Sequence, residues 1–196
     1  MNTGIVLFIG VEVMVDSNEK TKLKIAYSLK NRMQTNSLSK ISIKDIVNDC
    51  GLTRQTFYRH FKDKYDCVNW YFERVAQQSF KQLSNGVNLN DGLIKKFELL
   101  KADQRFFYEA FMADDKNSLF QYDYDCIYEF YSSIILKKVG ALDTEMEFLL
   151  KMYCKGSIDM TFEWVKEGMK LSEKEFAHLL IEAMPISLKK YLLVFD

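Results

Sequence analysis

Hydrophobic residues recur every three or four positions along most of the chain, which is the spacing of amphipathic helices. In the first such stretch, residues 19–35, the apolar stripe consists of Leu23, Ala26, Leu29 and Met33. Lysines are frequent on the opposite face, and a polar loop occupies residues 35–40. The pattern predicts a helix that buries one face.

The next helix is short, and polar residues mark both of its ends. Ser42 is suited to act as N-cap, and Asp45 stands three residues later, as in a capping box. Gly51 follows the last apolar position, where a left-handed residue commonly ends a helix. A helix between Ser42 and Gly51 is therefore predicted.

A third helix begins almost at once, with Thr53 as its predicted N-cap. Leu52 and Phe57 have the spacing of a hydrophobic staple, which fixes the angle at which a chain enters a helix. Phe57 and Phe61 share one face and are predicted to point inward. The remaining surface then presents Arg54, Gln55, Tyr58 and Arg59.

The rest of the chain predicts further helices and a single boundary. Asp63 and Asp66 are predicted to open a helix over residues 64–83, and the turn-rich residues 84–92 indicate a boundary. Beyond it, helices are predicted over residues 93–101, 103–112, 118–139, 143–169 and 172–183, with a last helical turn or a loose tail in 185–196. We therefore predict an all-α protein with an N-terminal extension (1–18), a three-helix domain (19–83) and a second helical domain (84–196).

Composition supports the helical class, because the chain has one proline and eight glycines. The four cysteines have no metal-ligand spacing and are interpreted as reduced thiols. The apolar stretch within residues 1–15 is too short for a membrane span and lacks the basic start of a signal peptide. It is either an extension that contacts an apolar surface or a sign that translation begins at Met14. A cytoplasmic protein without membrane association is predicted.

The net charge of zero hides an uneven distribution of charge. Residues 19–83 contain thirteen basic and six acidic side chains, which leaves fourteen basic and twenty-one acidic ones elsewhere. A basic region joined to an acidic one indicates that the first region meets a polyanion. Solvated helix faces are the alternative explanation.

Two short helices around a glycine turn form a helix-turn-helix unit, which places the second helix in a DNA major groove. Arginine and glutamine side chains pair with guanine and adenine edges. Ser42, Thr53 and Lys64 lie near helix N-termini, where backbone N–H groups favour phosphate. An ordinary helical hairpin remains the alternative on spacing alone.

Residues 41–64 resemble the N-terminal domain of the TetR family of transcription regulators. The resemblance rests on the start at Ser42, the Gly51-Leu52-Thr53 turn and the trio Tyr58, Phe61 and Lys64, and it extends over about residues 19–80. It implies phosphate contacts from Tyr58, Lys64 and Ser42. It also implies groove-facing roles for Thr53, Arg54, Gln55 and Arg59.

The residues from Arg54 to Tyr58 also resemble a branch of that family that includes activators of dihydroxyacetone-kinase operons. In that branch the C-terminal domain binds a partner protein. The family is usually homodimeric and usually represses transcription until a ligand binds. The resemblance therefore implies double-stranded DNA, a second copy, and a small-molecule effector or partner protein as partners. Repression is the expected mode and activation the alternative.

The resemblance also implies that residues 19–83 are a helix-turn-helix DNA-binding domain and that residues 84–196 are a helical ligand-binding and dimerisation domain. We expect a dimer interface formed with Phe148, Met152, Trp164, Leu179 and Leu180. An effector pocket is expected among Phe107, Phe111, Phe120, Tyr124, Tyr131 and Met160. Intramolecular core is the competing explanation for every one of these residues.

An enzyme is the alternative class of protein, but the sequence contains no recognisable catalytic motif. The two histidines, His60 and His178, are far apart in the chain, and no glycine-rich phosphate loop or nucleophile elbow is found. No catalytic residue, cofactor or metal is predicted. A helical interaction scaffold without DNA affinity is the remaining alternative.

Overall fold

The computed structural model describes residues 7–8, 11–12, 16–80, 88–113 and 119–193. These residues form helices, apart from a short antiparallel pair in which Leu7–Phe8 lies beside Val11–Glu12. The all-α class is confirmed. Most of residues 1–15 lie outside the described ranges, so the interpretations of the extension and of Met14 stay predictions. The chain divides into two compact units, residues 1–68 and 69–196, while the functional boundary after residue 83 stays a prediction.

Four helices occur in or enter the first unit. They are α1 (Ser17–Met33), α2 (Ile43–Cys50), α3 (Arg54–His60) and the beginning of α4 (Lys64–Phe80). A 3-10 turn, Leu38–Lys40, joins α1 to α2. The predicted inward faces of α1 and α3 are confirmed, because Leu23, Ala26, Leu29, Met33, Phe57 and Phe61 are all buried. In α2, Ile46, Val47 and Cys50 are buried and Ile43 is half-buried.

Local polar contacts set the ends of α2, as predicted. The Ser42 hydroxyl accepts from the Asp45 amide at 3.2 Å, and the Asp45 carboxylate accepts from the Ser42 amide at 3.2 Å. Gly51 ends the helix in the left-handed region, with φ of 60°. A residue with a β-carbon is strained there, which explains the glycine.

At the start of α4, Asp63 and Asp66 both make capping contacts, but they do not form the reciprocal pair that is seen at α2. Asp63 accepts from the Asp66 amide at 2.8 Å, as expected, but the Asp66 carboxylate accepts from the Lys62 amide, also at 2.8 Å. The acid therefore reaches one residue further back than the predicted partner. Both bonds fix the short connection between α3 and α4.

An exposed charged contact joins α1 to α2. The Arg32 guanidinium donates to both oxygens of Asp49, at 2.6 and 2.7 Å, and the Ser28 hydroxyl donates to the same carboxylate at 2.9 Å. These hydrogen bonds, with the Arg32 charge, hold the pKa of Asp49 below its usual range. The sequence pattern did not predict this pair, because its partners lie on different helices.

The second unit continues from α4 into six further helices. They are α5 (Leu89–Ala102), α6 (Gln104–Phe111), α7 (Leu119–Val139), α8 (Thr144–Lys166), α9 (Glu173–Ala183) and α10 (Ile186–Leu192). Helix α7 packs along α8, α5 packs along α9, and α10 contacts both α7 and α8. The tail therefore contributes a helix of its own, more than the single turn that was considered.

The predicted turn before α5 is wrong for residues 89–92, which form the first turn of the helix. Asn88 supplies the cap, because its side chain accepts from the Asp91 amide at 3.0 Å. Leu89 and Leu93 are buried on either side of Gly92. Their burial outweighs the helix cost of a glycine, which is about 1 kcal/mol. Residues 84–87 of the predicted turn lie outside the described ranges.

Aromatic side chains fill the core of the second unit. Trp164 stacks on Phe176 with ring centroids 4.9 Å apart, and Phe97 lies 4.8 Å from Phe176. A buried ion pair lies elsewhere in this core, where Lys96 Nζ is 2.9 Å from an oxygen of Asp123. Both charged side chains are almost completely removed from solvent.

The described ranges contain neither a candidate membrane span nor a candidate metal site. No helix there is long and apolar enough to cross a membrane. In the same residues, no three His, Cys, Asp or Glu side chains are grouped to hold a metal ion. All four cysteines are free thiols.

Candidate nucleic-acid interface

The exposed side of α3 presents the polar residues predicted to face DNA. Arg54, Gln55 and Arg59 are exposed, and the Tyr58 side chain is more than half exposed. Phe57 is fully buried on the opposite side and anchors the helix. The Tyr58 ring meets the Phe57 ring edge-on at 5.6 Å. The predicted set therefore forms one surface, although its contacts with DNA stay predictions.

Thr53 and Arg59 both form hydrogen bonds with Thr56 in the first turn of α3. The Thr53 hydroxyl accepts from the Thr56 amide at 3.1 Å, so Thr53 caps the helix. The Arg59 guanidinium donates to the Thr56 hydroxyl at 3.3 Å. Thr53 is engaged as a cap, whereas the side chains of Arg54 and Gln55 donate no hydrogen bond to the residues that the structure describes.

Ser42 and Lys64 lie at the neighbouring helix starts, as predicted, but both have partners within the protein. Ser42 is the N-cap of α2. Lys64 Nζ donates to the backbone carbonyls of Ser39 and Ile41, at 3.0 and 2.9 Å. The polar atoms of both side chains therefore form hydrogen bonds that stabilise the first unit.

Cations that the sequence analysis did not single out lie near the same surface. Lys40 ends the 3-10 turn, Lys44 lies in the first turn of α2, and Lys62 lies between α3 and α4; all three are exposed. No carboxylate among the described residues pairs with any of them. Only their position relative to the helix starts identifies them, because nothing in the residue pattern distinguishes one lysine of this region from another.

The electrostatics at the end of α3 also reflect nearby positive charge. Partial burial lowers the pKa of His60, and the neighbouring charges of Lys22 and Arg59 lower it further. A further positive charge, on His60, is therefore disfavoured at this point. Such surroundings are favourable for a polyanion.

The predicted dimer residues divide into two groups. Phe148, Met152 and Leu179 are each more than half exposed. Trp164 and Leu180 are buried within the chain itself, and the Trp164 ring N–H donates to the Leu171 carbonyl at 3.1 Å. The first group is available to a second copy, and the second group belongs to the protomer core.

The predicted pocket residues differ in how far they are buried. Phe107, Phe111 and Tyr131 are buried, Phe120 and Tyr124 are half-buried, and Met160 is exposed on α8. An open depression of about 340 Å³ is lined by Gln104, Arg105, Tyr108, Val165, Lys166 and Gly168, none of which belongs to the predicted set. The effector pocket thus stays a prediction.

The structure defines a helix-turn-helix protein with a second, larger helical unit. Two family descriptions match the chain: "Bacterial regulatory proteins, tetR family" over residues 33–69 and "Transcriptional regulator C-terminal region" over residues 87–185. The chain belongs to the TetR family of DNA-binding transcriptional regulators. It is accordingly a regulator and not an enzyme.

One curated relative is the HTH-type dhaKLM operon transcriptional activator DhaS of Lactococcus lactis subsp. lactis (strain IL1403). It is 29% identical over 94 residues, which are 48% of this chain and 50% of the relative. The match thus spans about half the length of that protein. The predicted likeness to dihydroxyacetone-kinase operon activators is confirmed.

Solved structures share the fold. A structure titled "Dihydroxyacetone kinase operon activator DhaS" has a TM-score of 0.65 and 20% identity, and the match covers 88% of this chain and 98% of that one. Thermus thermophilus FadR, a TetR-family repressor solved with lauroyl-CoA, has a TM-score of 0.56 and 13% identity, covering 89% and 96%. At these identities the likeness concerns the fold alone.

Proposed function

We propose that the chain acts in the cytoplasm as a homodimer on a palindromic operator, with α3 of each copy in the major groove. The observation behind this proposal is the exposed first turn of α3, where Arg54 and Gln55 keep their donors available. Both side chains match base edges in the major groove. Tyr58 and Arg59 extend the same surface toward the DNA backbone.

An apolar face on the last long helices supports the homodimer. Phe148, Met152 and Met160 are exposed large residues on α8, and Leu179 is exposed on α9. Gly156 lies between Met152 and Met160, and no atom comes within 4 Å of the position where its β-carbon would stand. Contiguous exposed apolar surface is typical of an interface. The two recognition helices would then be spaced about 34–36 Å apart, one turn of DNA.

The larger unit is proposed to control the affinity for DNA. An effector achieves this only if it binds unequally to the two conformations that differ in recognition-helix spacing. We propose repression as the mode, in which the bound dimer blocks transcription until an effector or partner protein releases it. FadR, a repressor solved with lauroyl-CoA, supports this mode by analogy of fold.

Activation is the second candidate, and the Lactococcus relative favours it, because that protein is a transcriptional activator. The partner of the larger unit would then be a protein. Deleting the regulator and measuring transcripts of the adjacent operon separates the two modes. Rising transcripts support repression, and falling transcripts support activation.

Selection of bound duplexes from a random pool tests DNA recognition and symmetry together. A palindrome whose half-sites are one helical turn apart is expected. Arg54→Ala and Gln55→Ala should each lose about 1–3 kcal/mol of binding and relax preference at one base position. Tyr58→Phe is the matched comparison, because loss of the phosphate contact expected from the exposed Tyr58 hydroxyl weakens binding to all sequences alike. Uniform losses from all three variants would contradict the assignment.

Sedimentation equilibrium tests the homodimer. Met152→Asp places a charge in the proposed interface and should convert a micromolar dimer to monomers. Leu136→Asp changes an exposed leucine of α7 and serves as control. A wild-type chain that stays monomeric at micromolar concentration would remove this part of the proposal.

A further inference from the structure

Two rows of residues with four-residue spacing run along the exposed side of α8. The apolar row consists of Phe148, Met152, Gly156 and Met160, and its three large side chains are each more than half exposed. The charged row consists of four exposed residues, Lys151, Lys155, Asp159 and Glu163. Each charged residue follows a position of the apolar row by three, so the two rows are neighbours on the helix surface.

The charged row changes sign once along its length. Its first half, Lys151 and Lys155, is positive, and its second half, Asp159 and Glu163, is negative. The outer Lys151 is paired with Glu147 at 2.5 Å. The two central side chains, Lys155 and Asp159, form no ion pair or hydrogen bond with any residue that the structure describes. Their charges are therefore available to a partner.

The order of these charges distinguishes two ways in which a second copy of α8 could meet the first. In an antiparallel pair the two-fold axis crosses the helices, so the same flank of each helix meets with its residue order reversed. Lys155 of one copy then faces Asp159 of the other, and the reciprocal contact forms by symmetry. In a parallel pair the axis runs along the helices, so each charged row faces the opposite flank of its partner. Only the antiparallel pair brings opposite charges together.

We infer that Lys155 and Asp159 are specificity-determining residues of the homodimer, in which α8 pairs antiparallel with α8 of the second copy. The inference rests on the proposed homodimer and adds which way the helices run and which chains can pair. Burial of the apolar row supplies attraction that many apolar surfaces could match. The charges decide between partners, because a related chain with like charges at these positions is repelled.

Charge reversal in the full chain gives the first test. Lys155→Glu places two glutamates beside two aspartates in the dimer, and Asp159→Lys places lysines beside lysines. Each variant should dimerise at least about tenfold more weakly than the wild type, because two symmetric contacts change from attraction to repulsion. Lys137→Glu, at an exposed lysine of α7, is the matched control and should leave the affinity unchanged. Sedimentation equilibrium at low ionic strength measures all four proteins.

Mixing the two reversed variants separates contacts between copies from effects within one helix. In a heterodimer of Lys155→Glu with Asp159→Lys, both contacts between the chains are attractive again. Native mass spectrometry of an equimolar mixture should therefore show more heterodimer than random pairing gives. A change that acts only within its own helix cannot be repaired by the other chain. Raising the salt to about 1 M, where the screening length is about 3 Å, should bring the affinities of both variants close to that of the wild type.

Cross-linking of the wild-type chain gives a test that needs no variant. A carbodiimide joins an amine directly to a carboxylate that it contacts. In a mixture of isotope-labelled and unlabelled chains, peptides joined through Lys155 of one label and Asp159 of the other are expected. If a charge-reversed variant does not fold, this measurement decides the outcome alone.

The outcomes separate this inference from the proposed homodimer. A wild-type chain that stays monomeric at micromolar concentration contradicts the homodimer itself. A wild-type dimer whose reversed variants keep its affinity, or pair at random when mixed, leaves the homodimer standing and overturns the inference. A dimer without the mixed-label cross-link between Lys155 and Asp159 overturns it as well.

Discussion

The two units of this protein use charge in opposite ways. In the first unit, charged groups stay at the surface and mark helix ends, as Ser42 with Asp45 and Arg32 with Asp49 do. In the second unit, Lys96 and Asp123 are paired in the interior, with the ammonium 5.0 Å from the centre of the Phe72 ring. Surface charge suits a polyanion partner. A buried charge loses its hydration, so the surrounding residues must keep its partner in place.

The difference predicts different tolerance to mutation. Exposed ion pairs contribute little to stability, because water screens them. A buried pair behaves otherwise, since removal of one partner leaves a charge in an apolar interior. We expect the first unit to lose binding before it loses its fold, and the second unit to lose its fold first.

The largest effect is expected from breaking the buried pair. Asp123→Leu leaves the Lys96 ammonium without a partner beside Phe72 and should lower the free energy of unfolding by about 3–5 kcal/mol. Urea unfolding followed by tryptophan fluorescence measures this change, because Trp70 and Trp164 both belong to the second unit.

The control is the double variant Lys96→Met with Asp123→Leu, which replaces the pair with apolar groups. Its stability should return to within about 1 kcal/mol of the wild type, or exceed it, because no unpaired charge remains. If Asp123→Leu alone is nearly neutral, water reaches Lys96, and the contrast between the units disappears.

A smaller effect is expected at the turn of the first unit. Gly51 has φ of 60° and open space around the position of a β-carbon, so Gly51→Ala costs conformational strain and causes no clash. The expected loss is about 1–2 kcal/mol. Because neither tryptophan lies in the first unit, circular dichroism should detect the loss while tryptophan fluorescence changes little.

Gly156→Ala is the matched comparison and should have the opposite sign. This glycine also has open space around it, but it lies within α8 and has no positive φ. Alanine should therefore stabilise the second unit by about 0.5–1 kcal/mol. Losses at both positions would mean that contacts, and not backbone conformation, determine the two effects.

Sequence could predict the surface of the first unit because its determinants are local. Ser42 and Asp45 are three residues apart, and the glycine that ends α2 follows its last apolar position. The pair formed by Lys96 and Asp123 is 27 residues apart, and nothing in the pattern near either residue marks the other. The turn predicted at Gly92 failed for a related reason, since the burial of its leucine neighbours is a tertiary effect.

The candidate site was likewise predicted in part, because local features could be predicted from the sequence and tertiary contacts could not. The exposed set on α3 followed from helical spacing and resemblance. The engagement of Lys64 with two backbone carbonyls did not, because a carbonyl has no residue type that a sequence pattern can display. The buried position of Trp164 was missed as well, since a large apolar residue suits a core and an interface equally.

The smallest effect is expected on stability at low pH, where the exposed pair of Arg32 and Asp49 should contribute. Hydrogen bonds from Arg32 and Ser28 lower the pKa of Asp49 in the folded state. A lowered pKa contributes stability above the unfolded value, about 3.9, and that contribution is lost as the pH falls toward the folded value. Thermal melts by circular dichroism should therefore show a shallow loss below about pH 4 that Asp49→Asn reduces. Glu129→Gln, at an exposed acid of α7, should leave the acid loss unchanged. An equal reduction by both variants would mean that general charge repulsion, and not the α1–α2 contact, governs the acid response.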